Sequence, residues 1–455
     1  MFKKDVDMLS GSITKGLLAI SLPIMIMNVT QSLFNIIDMT ILNAFDTGDG
    51  YTVGAVGACG TLIALITGLL VGCSSGANVA IARYIGSGDK EKAHRAVGTS
   101  VIFSVVGGVF ISIVGILGAR IFLVWVNCPN ELLDDAVLYF RLYFAGVPIL
   151  MVYNFAAAIL RSKGDANRPM LYLIFGGILK VVCNFIFVGV FKLSVVGVAL
   201  ATIMSWLLSC GLGIYALFKS DNEMIKLSVS KIRFYKRELC DVLEIGIPAG
   251  LQQSIYTIAN LLISATVNSF GPDATTGISI ANNFDGILYQ IAMAPSLAVM
   301  PYVSQNLGAN NLKRAKQSIT RGILIAVSLA GGLGVLSAVF SGPLSSIMTN
   351  SPEIIRYSQQ KMVIISSTYF ICGINNILIQ ALSGFRRPLI PTVTTLIYMC
   401  VLRFFWVLLI FPLCPNLTFL YLVWPVGWIL SIITQLCFLI PTIKGNWQKR
   451  FHFNS

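Results

Sequence analysis

Apolar runs long enough to cross a lipid bilayer recur along the whole 455-residue chain. A transmembrane helix needs about 20 mostly apolar residues. Twelve such runs, numbered here as spans 1 to 12, lie at 17–45, 52–82, 96–124, 136–160, 170–191, 195–218, 243–270, 275–303, 319–341, 354–382, 389–411 and 419–442. Hydrophobic residues make up 56% of the chain and charged residues only 11%, which is outside the range of soluble globular proteins. The sequence therefore predicts an all-α membrane protein with twelve transmembrane helices.

Basic residues mark one side of the membrane. Most of the 32 lysine and arginine residues fall in the N-terminal segment, in the tail, and in the loops at 83–95, 161–168, 219–241, 313–321 and 386–387. The positive-inside rule then places both termini in the cytoplasm, and we expect a multi-pass protein of the cell (inner) membrane. These residues do not form the single stripe that a nucleic-acid-binding protein requires. Despite the net charge of +13, we expect the lipid bilayer and no nucleic acid as a partner, and a monomer.

The sequence indicates no metal or nucleotide chemistry. The ten cysteines form no C-x-x-C pair, and the two histidines, His94 and His452, lie on the predicted cytoplasmic side. No G-x-x-x-x-G-K-[ST] stretch for ATP is present. We therefore expect no cofactor, and an ion gradient as the source of energy.

The chain contains an internal repeat. ISLPIMIMNVTQSLFNIIDMTILNAF at 20–45 aligns with IGIPAGLQQSIYTIANLLISATVNSF at 245–270, and LKVVCNFIF at 179–187 aligns with LRFFWVLLI at 402–410. An even number of helices separates the copies, so both halves enter the membrane in the same direction, which is a parallel repeat. The sequence predicts two pseudo-symmetric six-helix bundles, an N-lobe at 1–218 and a C-lobe at 242–455, joined by a cytoplasmic linker at 219–241.

Small residues predict close helix packing in span 2. Gly68, Gly72 and Gly76 recur every four residues there. Such a seam lets another helix backbone approach closely, so we expect a structural role for these glycines.

A polar stripe runs along span 1. Asn28, Gln31, Asn35 and Asp38 are spaced by three, four and three residues, which places them on one helical face. An ionised acid near the bilayer centre costs about 2.5–3.5 kcal/mol even on the lenient insertion scale. Asp38 is therefore predicted to face a wet cavity, to bind a cation or to stay protonated. The structural alternative is a buried carboxyl group bonded to a neighbouring helix.

The second half repeats this stripe without its acid. Gln253, Tyr256 and Asn260 lie in span 7, and Ile263 stands where the acid was. A second acid, Asp285, lies about ten residues into span 8, near mid-membrane at the helical rise of roughly 1.5 Å per residue. The polar site is thus predicted to be asymmetric.

Two cations lie at equivalent positions of the two halves, Lys180 in span 5 and Arg403 in span 11. Lys180 is some twelve residues, or roughly 18 Å, from the loop at Arg168, too far for the side chain to snorkel easily to a surface. We therefore predict ion pairing or cavity lining for Lys180. For Arg403, snorkelling and pairing both remain open. The two buried acids, Asp38 and Asp285, would then be balanced by the two buried bases, Lys180 and Arg403.

These residues resemble the multidrug and toxic compound extrusion (MATE) family. The similarity is carried by the proline-containing first span with its N-x-x-D, by ILRSKGDANRP after span 4, VGVALATIMS in span 6, QNLGANNLKRA after span 8 and WPVGWIL in span 12. It covers nearly the full chain. The resemblance implies two lobes around a central cavity, no enzymatic activity, and export of amphipathic, often cationic compounds in exchange for protons or sodium ions.

The resemblance also implies roles for particular residues. Asp38 matches the family's acid that binds the coupling cation, which would be H⁺ or Na⁺, and Thr202 matches a polar residue of that site. Many members carry an Asn and, four residues later, an Asp in span 5, where this chain has Lys180 and Asn184. An ammonium on the face of Asn184 would fill part of the space of a sodium ion. Asp285 resembles an acid found at this place in some bacterial members.

The predicted site therefore has two parts. The predicted cation-coupling group consists of Asp38, Asn35, Lys180, Asn184 and Thr202, with Na⁺ at Asp38 as its one candidate metal. The predicted substrate cavity is lined by Asn28, Gln31, Gln253, Tyr256, Asn260, Asp285 and Arg403. In this hypothesis Asp38 alternates between a protonated or cation-paired state and a state available to Lys180 or to a cationic substrate.

The sequence favours a secondary antiporter that exports amphipathic or cationic drugs by alternating access. A flippase for lipid-linked saccharides of the same superfamily is an alternative, but more cationic residues would be expected to line its cavity, whereas the buried charge here reads as balanced. A membrane-embedded enzyme would need a catalytic cluster such as paired acids at close helical spacing. A channel is a further alternative, although doubled lobes with broken helices fit alternating access better.

Overall fold

The computed structural model of the chain describes residues 6–45, 51–126, 128–228 and 231–444. Every regular element in these ranges is a helix. His452 lies outside them. The chain divides into two compact units, which are described separately.

Unit 1 contains Ile26–Gly250 and includes Val6. Its helices are the second part of α1 (Ile13–Phe45), α2 (Tyr51–Ser87), α3 (Lys90–Trp125), α4 (Asn130–Ser162), α5 (Asn167–Asn184), α6 (Ser194–Phe218) and the first part of α7 (Lys236–Asn268). A π-helical segment, Phe185–Val190, continues α5.

Unit 2 contains Asp7–Met25 and the chain from Leu251 onward. Its helices are the first part of α1, the second part of α7, α8 (Pro272–Gly308), α9 (Leu312–Ala326), α10 (Gly332–Val339), α11 (Ser341–Ser346), α12 (Pro352–Ser367), α13 (Tyr369–Gly384), α14 (Leu389–Thr395), α15 (Leu402–Phe405), α16 (Leu417–Tyr421) and α17 (Val423–Ile443). Three π-helical segments, Val327–Gly331, Leu396–Val401 and Trp406–Ile410, connect some of the shorter helices.

The helices are those of a multi-pass membrane protein. Within the described ranges ten helices are long and apolar enough to cross a membrane, and α12 with α13, bent by 48° at their junction, makes an eleventh span. Each of the twelve predicted spans coincides with a helix or with a run of consecutive helices. Span 7 corresponds to α7, a 33-residue helix whose first turns are rich in charged residues. The predicted helical fold class is confirmed.

The boundary between the units crosses two helices next to a proline. It falls after Met25 in α1 and after Gly250 in α7, two residues beyond Pro23 and Pro248 respectively. Proline has no backbone N–H, so one helical hydrogen bond is missing at each place. The two equivalent helices of the repeat are therefore divided at the same point of their length.

Each unit has its own aromatic core. In unit 1, α4 supplies the fully buried Phe140 and Phe144, whose rings stack at 4.4 Å. A Cβ atom added to Gly115 of α3 would lie 1.7 Å from the Phe144 ring, so this glycine makes room for the ring. In unit 2, Tyr369 and Trp428 are buried with ring centroids 6.0 Å apart.

The segment predicted as a linker packs onto unit 1. Ile225 is fully buried, and the Thr99 hydroxyl of α3 donates to the Arg233 carbonyl at 3.1 Å. The Tyr235 amide donates back to that hydroxyl at 3.2 Å. An ion pair of 2.8 Å also joins Lys90 of α3 to Glu223. The lobe boundaries predicted from the sequence stay a prediction.

The small-residue seam of α2 meets the first part of α7. A Cβ atom at Gly72 would lie 2.2 Å from the backbone of Gly250, and one at Gly76 would lie 2.0 Å from the carbonyl oxygen of Val242. Real Cβ atoms do not approach backbone atoms this closely. The close approach predicted for three glycines is confirmed at Gly72 and Gly76, and at Gly68 it stays a prediction.

We expect Gly76→Val to destabilise the protein by about 3 kcal/mol or more, because the side chain overlaps backbone that has no rotamer with which to move away. The measurement is thermal unfolding of the purified protein in detergent. Gly60→Ala in the same helix is the matched control, since a Cβ atom there meets nothing within 4 Å. Equal unfolding temperatures for the two variants would contradict the packing described here.

Candidate functional site

Asp38 joins α1 to α5 inside unit 1. Only 7% of the residue is exposed. Its Oδ1 accepts a hydrogen bond of 2.6 Å from Nδ2 of Asn184, and its Oδ2 pairs with the ammonium of Lys180. Lys180 and Asn184 are four residues apart on α5 and so share one helical face. The ion pairing predicted for Lys180 is confirmed, and its side chain does not snorkel.

The Asp38–Lys180 pair keeps limited access to water. The Lys180 side chain is 15% exposed and that of Asp38 is 8% exposed. Asn184 is fully buried, and its Oδ1 has no hydrogen-bond donor within the described residues. The cluster therefore holds one negative charge, one positive charge and one unsatisfied acceptor.

The other residues predicted near Asp38 are not joined to it. Thr202 is buried on α6, but its hydroxyl donates to the Val198 carbonyl at 2.9 Å. In the described part of the chain it makes no hydrogen bond to Asp38. Gln31 and Asn35 are exposed, and Asn28 is half-buried. Of the four residues in the stripe, only Asp38 is buried.

The equivalent stripe in unit 2 meets the equivalent cation. The Arg403 guanidinium donates from Nη1 to Oδ1 of Asn260 at 2.6 Å. It also lies over two rings, with its Cζ 5.5 Å from the centroid of Tyr256 and 4.8 Å from that of Trp424. Both units therefore use the helix that carries the stripe to hold the cation of the repeat. In unit 1 the partner is a carboxylate, and in unit 2 it is an amide with two aromatic rings.

Arg403 is completely buried, which settles the question that the sequence left open. It neither reaches a headgroup nor, among the residues described, forms an ion pair with a carboxylate. Its Nε and Nη2 have no hydrogen-bond acceptor in the same set. The aromatic rings supply the compensation, since a desolvated cation–π contact is worth about 2 kcal/mol or more.

Asp285 on α8 pairs with Lys361 on α12, at 2.9 Å between Nζ and Oδ2. Lys361 also donates to Oδ1 of Asn282. The Ser366 hydroxyl is 3.4 Å from Oδ1 of Asp285. Both members of the pair are buried. The predicted pairing of two acids with two bases is therefore incomplete, because Asp285 pairs with Lys361, a buried base that the prediction did not include.

Sequence reasoning missed Lys361 and Asn282. A signal was present in each case. Lys361 is a lysine seven residues into the apolar run of span 10, and Asn282 precedes Asp285 by three residues and so lies on its face. The pairing itself depends on which helices touch, and a single sequence does not give that.

A small polar cavity lies within unit 2, and Gln253 and Tyr256 of the predicted set line it. Five carboxamides contribute to its wall, from Gln252, Gln253, Asn375, Asn376 and Gln380. Its aromatic wall consists of Tyr256, Tyr289 and Trp428. The volume is about 30 Å³, and roughly 10–15 Å³ on that measure holds one water molecule. In this state the cavity has room for about two or three water molecules and is too small for a drug-sized ligand, and no carboxylate of the described residues lines it.

Comparison with known families gives a match that repeats along the chain. The family model MatE matches residues 23–186 and matches again at residues 248–409. The two matches begin at the two equivalent prolines, Pro23 and Pro248. The internal repeat predicted from the sequence is confirmed.

Two curated relatives and one solved structure are similar over most of their length. "Probable multidrug resistance protein YpnP" of Bacillus subtilis is 25% identical, over 88% of this chain and 89% of that protein. The "FAD transporter" of Shewanella oneidensis is 27% identical, over 86% of both chains. A crystal structure described as MATE in the straight conformation superposes with a TM-score of 0.90 at 22% identity, over 98% of this chain and 99% of that chain, which supports the fold.

Proposed function

Since the chain belongs to the MatE family, whose members are membrane transporters and not enzymes, we propose that it is a secondary active antiporter. It exports amphipathic compounds in exchange for protons by alternating access. The observation that carries the proposal is the buried Asp38–Lys180 pair with its Asn184 partner. Buried ionisable residues in transmembrane helices mark ion and substrate pathways by default. The proposal includes the inner membrane and cytoplasmic termini that the basic loops predict.

Protonation of Asp38 would break its ion pair with Lys180. A proton on the carboxylate removes the counter-charge of Lys180 and leaves a poorly solvated ammonium, which is costly. A movement of α1 relative to α5 within unit 1 would return the ammonium to water. Proton binding is thereby linked to helix movement, as an antiporter requires.

The contacts favour a proton over a sodium ion as the coupling ion. Both oxygens of the Asp38 carboxylate are already engaged, one by Asn184 and one by Lys180. A sodium ion at the carboxylate would lie close to the Lys180 ammonium, and like charges at about 4 Å repel strongly in a medium of low dielectric constant. The unsatisfied Oδ1 of Asn184 is the one sodium ligand that the cluster offers freely.

Purified protein in liposomes, with each ion gradient imposed alone, tests the coupling. We expect a proton gradient to drive movement of a fluorescent dye and a sodium gradient to leave it unchanged. Lys180→Asn removes the competing ammonium and is expected to introduce a dependence on sodium. Lys219→Gln removes an exposed lysine outside the helices and is the matched control. Dye movement driven in the wild-type protein by sodium alone would refute proton coupling.

The names of the relatives span two classes of cargo. One is a probable multidrug resistance protein and the other a transporter of FAD, a large organic anion. A flippase would need additional cationic residues along its cavity, whereas the additional buried base, Lys361, is paired with Asp285 and is not among the residues that line the cavity. A flippase would move a lipid-linked saccharide, so the same liposomes, assayed with a labelled lipid instead of a dye, distinguish the two functions. A channel would show dye flux that does not saturate with concentration.

A further inference from the structure

The buried charges of unit 2 do not cancel. Its fully or nearly fully buried charged residues are Asp285, Lys361 and Arg403. Asp285 and Lys361 neutralise each other in an ion pair of 2.9 Å. Arg403 remains as one positive charge that has no carboxylate partner among the described residues. In unit 1 the equivalent cation, Lys180, is neutralised by Asp38.

Arg403 has unused capacity to bind an anion. A guanidinium carries five N–H donors in a planar fork that matches the geometry of carboxylate and phosphate groups. Here one nitrogen, Nη1, is engaged by Asn260, while Nε and Nη2 have no acceptor within the described chain. A buried cation in this condition is costly. Two free donors on adjacent nitrogens of one fork form the edge that binds an oxyanion through two parallel hydrogen bonds.

Tyr256 connects this guanidinium to the polar cavity. Its ring lies 5.5 Å from Cζ of Arg403, and it also lines the cavity. The same ring stacks on Tyr289, with centroids 5.8 Å apart and planes tilted by 17°. Rotation of the Tyr256 side chain would therefore connect the cavity to the Nε and Nη2 groups of Arg403. The tyrosine rings and Trp428 offer flat apolar faces, and the carboxamides offer neutral donors and acceptors.

We propose that Arg403 and the adjoining cavity of unit 2 form a binding site for an aromatic oxyanion, a carboxylate or phosphate attached to a planar ring system. The oxyanion pairs with Nε and Nη2 of Arg403. The ring stacks on the tyrosines, and the cavity amides bind its polar edges. Tyr256 opens the site by moving away from the guanidinium.

A lipophilic cation has no comparable partner in unit 2. Among the described residues of unit 2 the one buried acid, Asp285, is already paired with Lys361, and no carboxylate lines the cavity. A cation in the cavity would also be repelled by Arg403. The charges therefore reverse the preference for cationic cargo that the family resemblance implies. Export of such an anion rests on the proposed antiport function, whereas its binding does not.

Two dyes built on the same xanthene ring test the charge preference directly. Carboxyfluorescein is an anion and rhodamine 123 is a cation. Their affinity for the purified full-length protein in detergent is measured by fluorescence polarisation. We expect the anion to bind at least about tenfold more tightly, since a hydrogen-bonded charged pair is worth about 1.5–3 kcal/mol. Tighter binding of rhodamine 123 to the wild-type protein would overturn the proposal without any variant.

Arg403→Gln removes the charge and keeps a polar side chain. We expect it to weaken carboxyfluorescein binding by about tenfold to a hundredfold and to leave rhodamine 123 binding unchanged or stronger. Arg403→Lys keeps the positive charge but not the planar guanidinium, so an intermediate loss of carboxyfluorescein affinity is expected. This variant replaces Arg403→Gln in the test if the glutamine variant does not fold. Arg356→Gln, on an exposed arginine of α12, is the matched control. Equal loss of both dyes, or loss of neither, in the Arg403 variants would contradict the assignment.

Liposome transport separates this site from the general function. Gradient-driven movement of rhodamine 123 but not of carboxyfluorescein would retain the antiport function and reject the anion site. Binding of carboxyfluorescein that depends on Arg403, with no gradient-driven movement of either dye, would retain the site and reject the antiport function. Movement of the anion that is lost in Arg403→Gln and kept in Arg356→Gln would support both.

Discussion

Asp38→Asn is expected to reduce dye efflux from intact cells to the level of cells that lack the protein. The substitution keeps the size and hydrogen-bonding shape of the side chain but removes its ability to exchange a proton. It also leaves the Lys180 ammonium without its counter-charge, so the alternation between two pairing states is lost. The measurement is dye accumulation, with the amount of protein in the membrane determined in parallel.

Two further variants sharpen the test of Asp38. Asp38→Glu retains an ionisable carboxyl group on a side chain one methylene longer, and partial efflux is expected. Asp134→Asn removes an acid whose side chain is 92% exposed on α4, and wild-type efflux is expected because exposed ion pairs contribute little. Undiminished efflux by Asp38→Asn would show that this carboxylate has a structural role only.

Lys361→Met is expected to be the most destabilising single substitution in unit 2. It leaves the carboxylate of Asp285 buried with the Ser366 hydroxyl, 3.4 Å away, as its remaining side-chain partner among the described residues. Removal of one member of a buried ion pair costs about 3–5 kcal/mol, because the other charge is left uncompensated. The measurement is thermal unfolding of the purified protein in detergent.

The double variant Lys361→Met with Asp285→Leu separates charge from packing. Replacement of a whole buried pair by apolar residues is often neutral, so most of the lost stability is expected to return. Lys316→Met, on an exposed lysine of α9, controls for the loss of a lysine. A double variant as unstable as Lys361→Met alone would show that the shape of the lysine, and not its charge, supports α8 and α12.

The helices and the repeat could be predicted because both depend on local sequence patterns. A run of about 20 apolar residues forms a helix when it crosses a membrane. Pro23 and Pro248 mark the same point in the two copies of the repeat. The depth of Lys180 predicted that it would pair or line a cavity, but it did not tell which acid would be its partner.

The contacts between helices were predicted less well, for a physical reason. Helical periodicity tells which residues share a face but not which face of which helix lies opposite. Asp285 pairs with Lys361 and with neither of the bases that the sequence brought to attention. Thr202 bonds to its own backbone instead of joining Asp38. Both outcomes are set by helix packing, which carries no local signal.

Each of the two equivalent cations lies close to a π-helical segment. Phe185–Val190 follows Lys180, and Trp406–Ile410 follows Arg403. A π-turn holds one more residue than an α-turn and is common at functional sites. When such a wide turn shifts along a helix, each residue that it passes swivels by about 100°, the angle of one α-helical residue. Such a shift would rotate the helix that carries Lys180 or Arg403 and exchange the partner of that cation in one motion. The helix that spans the bilayer would not have to bend.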